Sequence, residues 1–279
     1  MSKTKPRVGI IGLGYVGGAA LYWFKGRGRR LADLYLYDKY KNIGSVEEVN
    51  KADIVFVCVP TPYREDGRGS TGSLQRGYDD SAIIESLKNL KTPKAVVIKS
   101  TVLPGSTERF QKRFPKHFIL FSPEFLVAKT ANNDFVNPKR QIVGYTAKSK
   151  KYARTAMDIL PKAPFSKIMP ATEAELVKYF GNTFLATRVV FANQIYDLCT
   201  KLGVDYDLVK ESAGMDHRVG HSHFDIFSDG YRGYGGACLP KDTRAFIDFA
   251  KSQGVNFELL QTVERLNNIL RKNSGETAI

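Results

Sequence analysis

The hexapeptide GLGYVG, Gly12 to Gly17, directly behind the strand-like run RVGII, constrains the fold more than any other stretch of this chain. G-x-G-x-x-G spacing alone is weak, because glycine is common, but here the run leaves a strand and opens a helical pattern. In that context Gly12 makes the tight turn, Gly14 admits a pyrophosphate to the backbone, and Gly17 lets helix and strand pack closely. The amides at the start of the helix then face negative charge. Asp38 closes the next strand-like run, LYLYD, 26 residues past the first glycine. A carboxylate there accepts hydrogen bonds from a ribose diol and repels a 2′-phosphate, which predicts NAD over NADP. Lys39 and Lys41, close behind, weaken that preference.

Further apolar runs, DIVFVCV, AVVIKS, FILFS and QIVG, alternate with helix-like segments. That alternation predicts an α/β fold, a Rossmann-like doubly wound parallel sheet covered on both faces, over residues 1–171. From about Thr172 the pattern becomes one long helical stretch that ends at Gly203. Its apolar residues recur around much of the circumference, as in a helix buried between a domain and a partner. Residues 172–279 are therefore expected to form a long central helix and a small all-α domain. Another helix is expected from near Val204, then a glycine-punctuated run from Gly214 to Ala237, and helix again after Lys241 with a break at Gly254.

The formal net charge of +14 suits an enzyme of anionic substrates, a membrane surface or a nucleic acid. No nucleic-acid motif accompanies it, so no nucleic-acid partner is expected. The basic residues are dispersed, with only short clusters such as KGRGRR and SKTKPR; in the loop Tyr63–Asp80, Arg64, Arg68 and Arg76 are candidate phosphate contacts, although a solvated surface loop is the favoured reading. No apolar run approaches a membrane span, and the first strand begins too close to Met1 for a secretory leader. Cys58, Cys199 and Cys238 are too few and too far apart for a disulfide framework. A cytoplasmic protein is the expectation.

The stretch GYGGACLPKD, Gly233 to Asp242, sets a cysteine, a lysine and an aspartate behind glycines that cannot hold a helix. It reads either as a loop that presents a thiolate to a ligand or as a helix start with Cys238 a small apolar residue. His217, His221 and His223 lie near Asp216 and Asp225, but Gly220 interrupts them, and no metal is expected.

Four pieces precede that stretch in order: VCVPTP, KSTVLPGST, SPEFL and LVKYFGNTFLA. The series, spanning residues from about 7 to 270, resembles the UDP-glucose/GDP-mannose dehydrogenase family, the nucleotide-sugar 6-dehydrogenases. The resemblance implies oxidation of a primary alcohol to a carboxylate in two hydride transfers to NAD. Cys238 would hold the aldehyde as a thiohemiacetal and then as a thioester. Lys178 and Asn182 would stabilise the oxyanion, and Asp242 and Thr101 would hold or activate water. Glu124 would serve in acid/base work and sugar contact, with Phe125, Leu126, Tyr234 and Gly235 also on the substrate and Arg218 reaching a substrate held mainly by the partner subunit. Cofactor contacts would come from Gly12, Gly14, Tyr15, Val16, Gly17, Asp38, Val59, Pro60, Thr61, Thr101 and Lys241.

UDP-glucose, giving UDP-glucuronate, is the first expected substrate, with UDP-N-acetylhexosamines and GDP-mannose open. The resemblance also implies a homodimer through the long helix. The resemblance implies a C-terminal UDP-binding domain beyond the central helices, which the sequence to Ile279 does not include; a short natural gene, a shortened sequence and a separate chain supplying the domain as a partner stand as alternatives. A different class, a non-catalytic or partner-dependent NAD-binding subunit, predicts NAD binding without NADH formation.

Overall fold

The structure, a computed structural model, describes residues 6–26, 34–64, 77–228 and 230–274. It divides into two compact units, Met1–Lys178 and Tyr179–Ile279.

In the first unit the chain runs through β1 (Val8–Ile11), α1 (Tyr15–Lys25), β2 (Leu34–Asp38), β3 (Ile43–Gly44), α2 (Val46–Val49) and β4 (Ile54–Val57). It continues through α3 (Ser81–Asn89), β5 (Ala95–Ile98), α4 (Ser106–Arg113), β6 (Phe118–Phe121), α5 (Ala131–Val136), β7 (Arg140–Tyr145), α6 (Lys150–Ile159) and β8 (Phe165–Pro170). The strands form one sheet in the order β3-β2-β1-β4-β5-β6-β7-β8. From β2 to β6 the neighbours are parallel, β3 and β7 each enter antiparallel, and β8 runs parallel to β7. This is the expected doubly wound sheet.

Strand period two divides each central strand between two cores. Ile10, Phe56, Val97 and Leu120 point to one, with Phe24 of α1 and Phe135 of α5. Ile11, Val57, Ile98 and Phe121 point to the other, with Leu87 of α3 and Phe110 of α4. Burial on both faces is why these strands read as unbroken apolar runs. Two strands were hidden from such reading. β3 is two exposed residues, and β8, FSKIMP, is a largely exposed edge strand with no apolar run.

Helix α7 (Ala171–Leu202) runs across the division between the units. It ends as expected: Gly203 takes φ +68°, and the Val204 amide donates to the Cys199 carbonyl at 3.0 Å, closing the helix from beyond its end. The second unit continues with α8 (Tyr206–Gly214), α9 (Leu239–Ser252) and α10 (Glu258–Asn273). Val190, Tyr234 and Val263 form one small core there, and Cys199, Tyr206 and Ile226 another. Cys58 and Cys199 are buried, in keeping with packing roles. Helix α9 starts at Leu239, ahead of the expected start after Lys241, because Pro240 in its first turn lacks only an amide hydrogen that the helix start does not use.

Candidate active site

The glycine turn is built as its spacing predicted. Gly12 takes φ +85°, and a Cβ on it would lie 2.6 Å from the Cys58 carbonyl oxygen. A Cβ on Gly17 would stand 1.8 Å from the Gly12 carbonyl oxygen, so only glycine permits this approach of α1 to the turn. Gly14 differs: a Cβ there meets no protein atom within 4 Å. The fold leaves that space open beside the first amides of α1, where an anion binds well. A cavity of about 470 Å³ extends from it, lined by Tyr15, Val16, Asp38, Val59 and Pro60. These features fit a dinucleotide.

Asp38 ends β2 almost wholly buried. One carboxylate oxygen accepts the Leu13 amide at 2.6 Å, the other the Tyr40 and Lys41 amides at 3.0 and 2.9 Å. Burial opposes its charge, yet those amides hold the carboxyl below its ordinary value. Three of roughly four acceptor sites are then filled, leaving one for a ribose hydroxyl. Lys39 is turned to Glu85 at 3.2 Å, and Lys41 donates to the Leu13 carbonyl at 2.6 Å.

Gly14→Val is expected to cost only about 1 kcal/mol of stability, the loss of a favoured N-cap residue of α1, since a Cβ there meets open space. It should weaken NAD by more than about tenfold by filling the place of the pyrophosphate. Thermal unfolding and NAD titration of the same sample check both halves.

Beyond β4 and β5, Thr61 Oγ1 and Tyr78 Oη donate to the Thr101 carbonyl at 2.8 and 2.9 Å. Glu124 and Lys178 form a nearly buried ion pair at 2.8 Å, and Lys178 also donates to the Glu124 carbonyl at 2.9 Å. The other Glu124 oxygen accepts the Leu126 amide at 2.9 Å, and the Arg140 guanidinium lies 3.8 Å from the Phe125 ring centroid. One turn before Lys178, the wholly buried Glu175 accepts the Gly105 amide at 2.6 Å and the Thr107 amide and hydroxyl at 2.8 and 2.6 Å. Thus α7 pins the loop after Thr101 with one residue and the Glu124 loop with another. Sequence reasoning missed Glu175; its only signal was a carboxylate on a helix otherwise rich in apolar residues.

In the second unit Cys238 is exposed, in no disulfide, and occupies the N-cap position of α9. Its carbonyl accepts the Asp242 amide at 3.0 Å. Asp242 is buried; one of its oxygens accepts the Asn182 amide nitrogen at 2.6 Å, and the other pairs with Lys241. Four predicted residues, Cys238, Lys241, Asp242 and Asn182, therefore stand together. The glycines ahead of them are needed by the backbone: Gly233 has φ +80° and a Cβ on it would lie 2.5 Å from Asn267 Oδ1. Tyr234 is buried, its amide donating to the same Asn267 oxygen at 2.7 Å, and a Cβ on Gly235 would stand 2.3 Å from Tyr231 Oη. Arg218 is exposed and forks Asp216 at 2.6 to 3.1 Å. Arg64 pairs with Asp79 at 2.8 Å, whereas Arg68 and Arg76 lie outside the described residues. Among the described residues no three His, Cys, Asp or Glu side chains are grouped to hold a metal, and no helix is long and apolar enough to cross a membrane.

Residues 31–160 match the model of the UDP-glucose/GDP-mannose dehydrogenase family's NAD binding domain, and residues 172–269 that of its central domain. The glycine turn lies ahead of the matched span and rests on its own geometry. The chain is 31% identical over 252 residues to the UDP-glucose 6-dehydrogenase of Haloferax volcanii, covering 85% of this chain and 57% of that one. Against that of Pseudomonas aeruginosa it is 36% identical over 238 residues, 79% of this chain and 49% of the relative. The chain spans about half the length of these curated relatives. Among solved structures, a UDP-glucose dehydrogenase from Pyrobaculum islandicum superposes with a TM-score of 0.81 at 28% identity, over 99% of this chain and 73% of that chain. With NAD the cofactor of the matched domain, and a dinucleotide turn and the SPEFL, LVKYFGN and GACLPKD motifs all in place, the chain belongs to the UDP-glucose/GDP-mannose dehydrogenase family.

Proposed function

We propose that the chain oxidises the C6 alcohol of a nucleotide sugar to the carboxylate, with UDP-glucose the preferred substrate. The observation that carries this reading is Cys238 at the N-cap of α9 with the buried Asp242 one turn on. A helix N-terminus stabilises negative charge, the charge a thiolate carries. Bound NAD supplies the acceptor for a hydride in each of the two oxidations.

The chain's own residues do the rest. Cys238 Sγ bonds the aldehyde carbon, so the intermediate stays attached; after the second oxidation the same bond is a thioester, and water cleaves it to return the thiolate. Lys178 uses two of its three N–H donors on Glu124, leaving one for an oxyanion. Asn182 gives one amide hydrogen to Asp242 and keeps the other. Asp242 and Thr101 are assigned to holding water, and Glu124, Phe125 and Leu126 to the sugar. The test supplies NAD+ with UDP-glucose, UDP-N-acetylhexosamines and GDP-mannose in parallel. NADH from UDP-glucose supports the reading; NAD binding with NADH from none of them overturns it in favour of a non-catalytic subunit.

We also propose that a second copy of the chain covers α7. Phe180, Phe184, Phe191, Leu198 and Leu202 are all more than half exposed and recur at intervals of four and seven, one stripe of a helix. Phe184→Glu is expected to convert a species of twice 31.2 kDa into one of 31.2 kDa in sedimentation. A monomeric parent, or an unaffected dimer, would remove this proposal.

A further inference from the structure

Lys99 follows β5, in the middle of the sheet, at the carboxyl ends of the strands. The residue is 2% exposed. The ammonium donates to Ser122 Oγ at 3.2 Å and to the Pro123 carbonyl at 3.3 Å, and stands 5.6 Å from the Phe135 ring centroid. Among the described residues no carboxylate lies within ion-pair distance of it. An ammonium buried without a counter-ion is costly, and an apolar side chain of similar volume fills such a space as well or better. Burial accordingly pulls its pKa down to about 8, with Cys58 and Glu124 opposing and Lys178 adding to the shift. Stability alone does not account for a charge here.

What the ammonium does hold is one short segment. Lys99 holds the Pro123 carbonyl and Lys178 the next one, that of Glu124, together with the Glu124 carboxylate. Two cations from different elements thus grip consecutive peptide groups, and Phe125 follows directly.

We propose that Lys99 is a positioning residue, clamping Ser122–Leu126 in the single conformation from which Glu124 and Phe125 meet the sugar. The inference rests on the dehydrogenase reading above for its substrate, and on the hydrogen bonds for the clamp. Displacing reacting groups by about 1 Å costs on the order of 10²-fold in rate.

The test is Lys99→Met in the whole chain, read three ways. The expected result is an unchanged or raised Tm, amide exchange at least about tenfold faster confined to the peptide covering Ser122–Val127, and kcat lower by about 10- to 100-fold with KM nearly unchanged. Ser122→Ala, which removes one acceptor and keeps the charge, should give a smaller rise in exchange over the same peptide. Unchanged exchange there in both variants overturns the clamp, as does a lowered Tm with faster exchange throughout the chain, which would assign Lys99 to the fold. If the unaltered chain forms no NADH from any nucleotide sugar, the dehydrogenase reading fails, while the exchange result still decides the clamp.

Discussion

Cys238→Ala is expected to stop carboxylate formation, lowering its rate by roughly 10³-fold or more, while NAD affinity and Tm stay at the parent values. Cys238 is exposed and outside the small cores of its unit, so shortening it leaves no cavity. Its loss removes the only group assigned to bond the aldehyde carbon. The first oxidation does not need the sulfur, so an aldehyde should accumulate and leave. Cys238→Ser should behave similarly, because an alkoxide is scarcely populated at neutral pH. Product analysis by mass, with NADH followed by absorbance, distinguishes released aldehyde from acid. Acid formed at the parent rate by the alanine variant would remove the cysteine from the mechanism.

The second large effect is on stability. Glu175→Ala should cost about 3 kcal/mol or more, measured by denaturant unfolding, because three donors lose their acceptor at a buried site. Two of those donors are backbone amides at the start of α4, whose own N-cap, Gly105 at φ +86°, has no side chain to serve them. Glu175 caps α4 from another helix.

Burial pushes this carboxyl up to about 7, against the pull of the Thr107 and Gly105 hydrogen bonds. The folded value lies above the ordinary 4.5, so the folded state holds the proton more tightly than the unfolded chain. The resulting stability is full below pH 4.5 and lost as pH rises through 7. Glu175→Gln, which cannot ionise, should flatten that part of the Tm profile. A profile parallel to the parent's between those limits would contradict the assignment.

Legibility in the sequence followed burial. β1, β4, β5, β6 and β7 were visible because the central sheet is buried on both faces and its strands become apolar runs; the half-buried β2 was visible as LYLYD, whereas β3 and β8 lie at the edges and carry no apolar run. The glycine turn was visible because its requirement is local: one residue needs positive φ and another has no room for a Cβ. Cys238 and Asp242 fall one helical turn apart in one motif, so their association needed no tertiary knowledge.

The partners of these groups were less accessible. Asn182 reaches Asp242 across 60 residues, a pairing that only the folded chain makes. Lys99 and Glu175 read as ordinary charges beside an apolar strand and within a helix, respectively. Their burial is decided by the loop after β6 and the start of α4, which come from elsewhere in the chain. A charged residue directly behind AVVI, in a strand covered on both faces, was the available signal for Lys99.

Covalent capture at Cys238 makes a numerical demand that release of an aldehyde does not. The most direct measurement is the ratio of NADH formed to UDP-glucose consumed by the purified chain. Two NADH per sugar, with UDP-glucuronate as the product, is the predicted result; one NADH per sugar with free aldehyde in solution would contradict it.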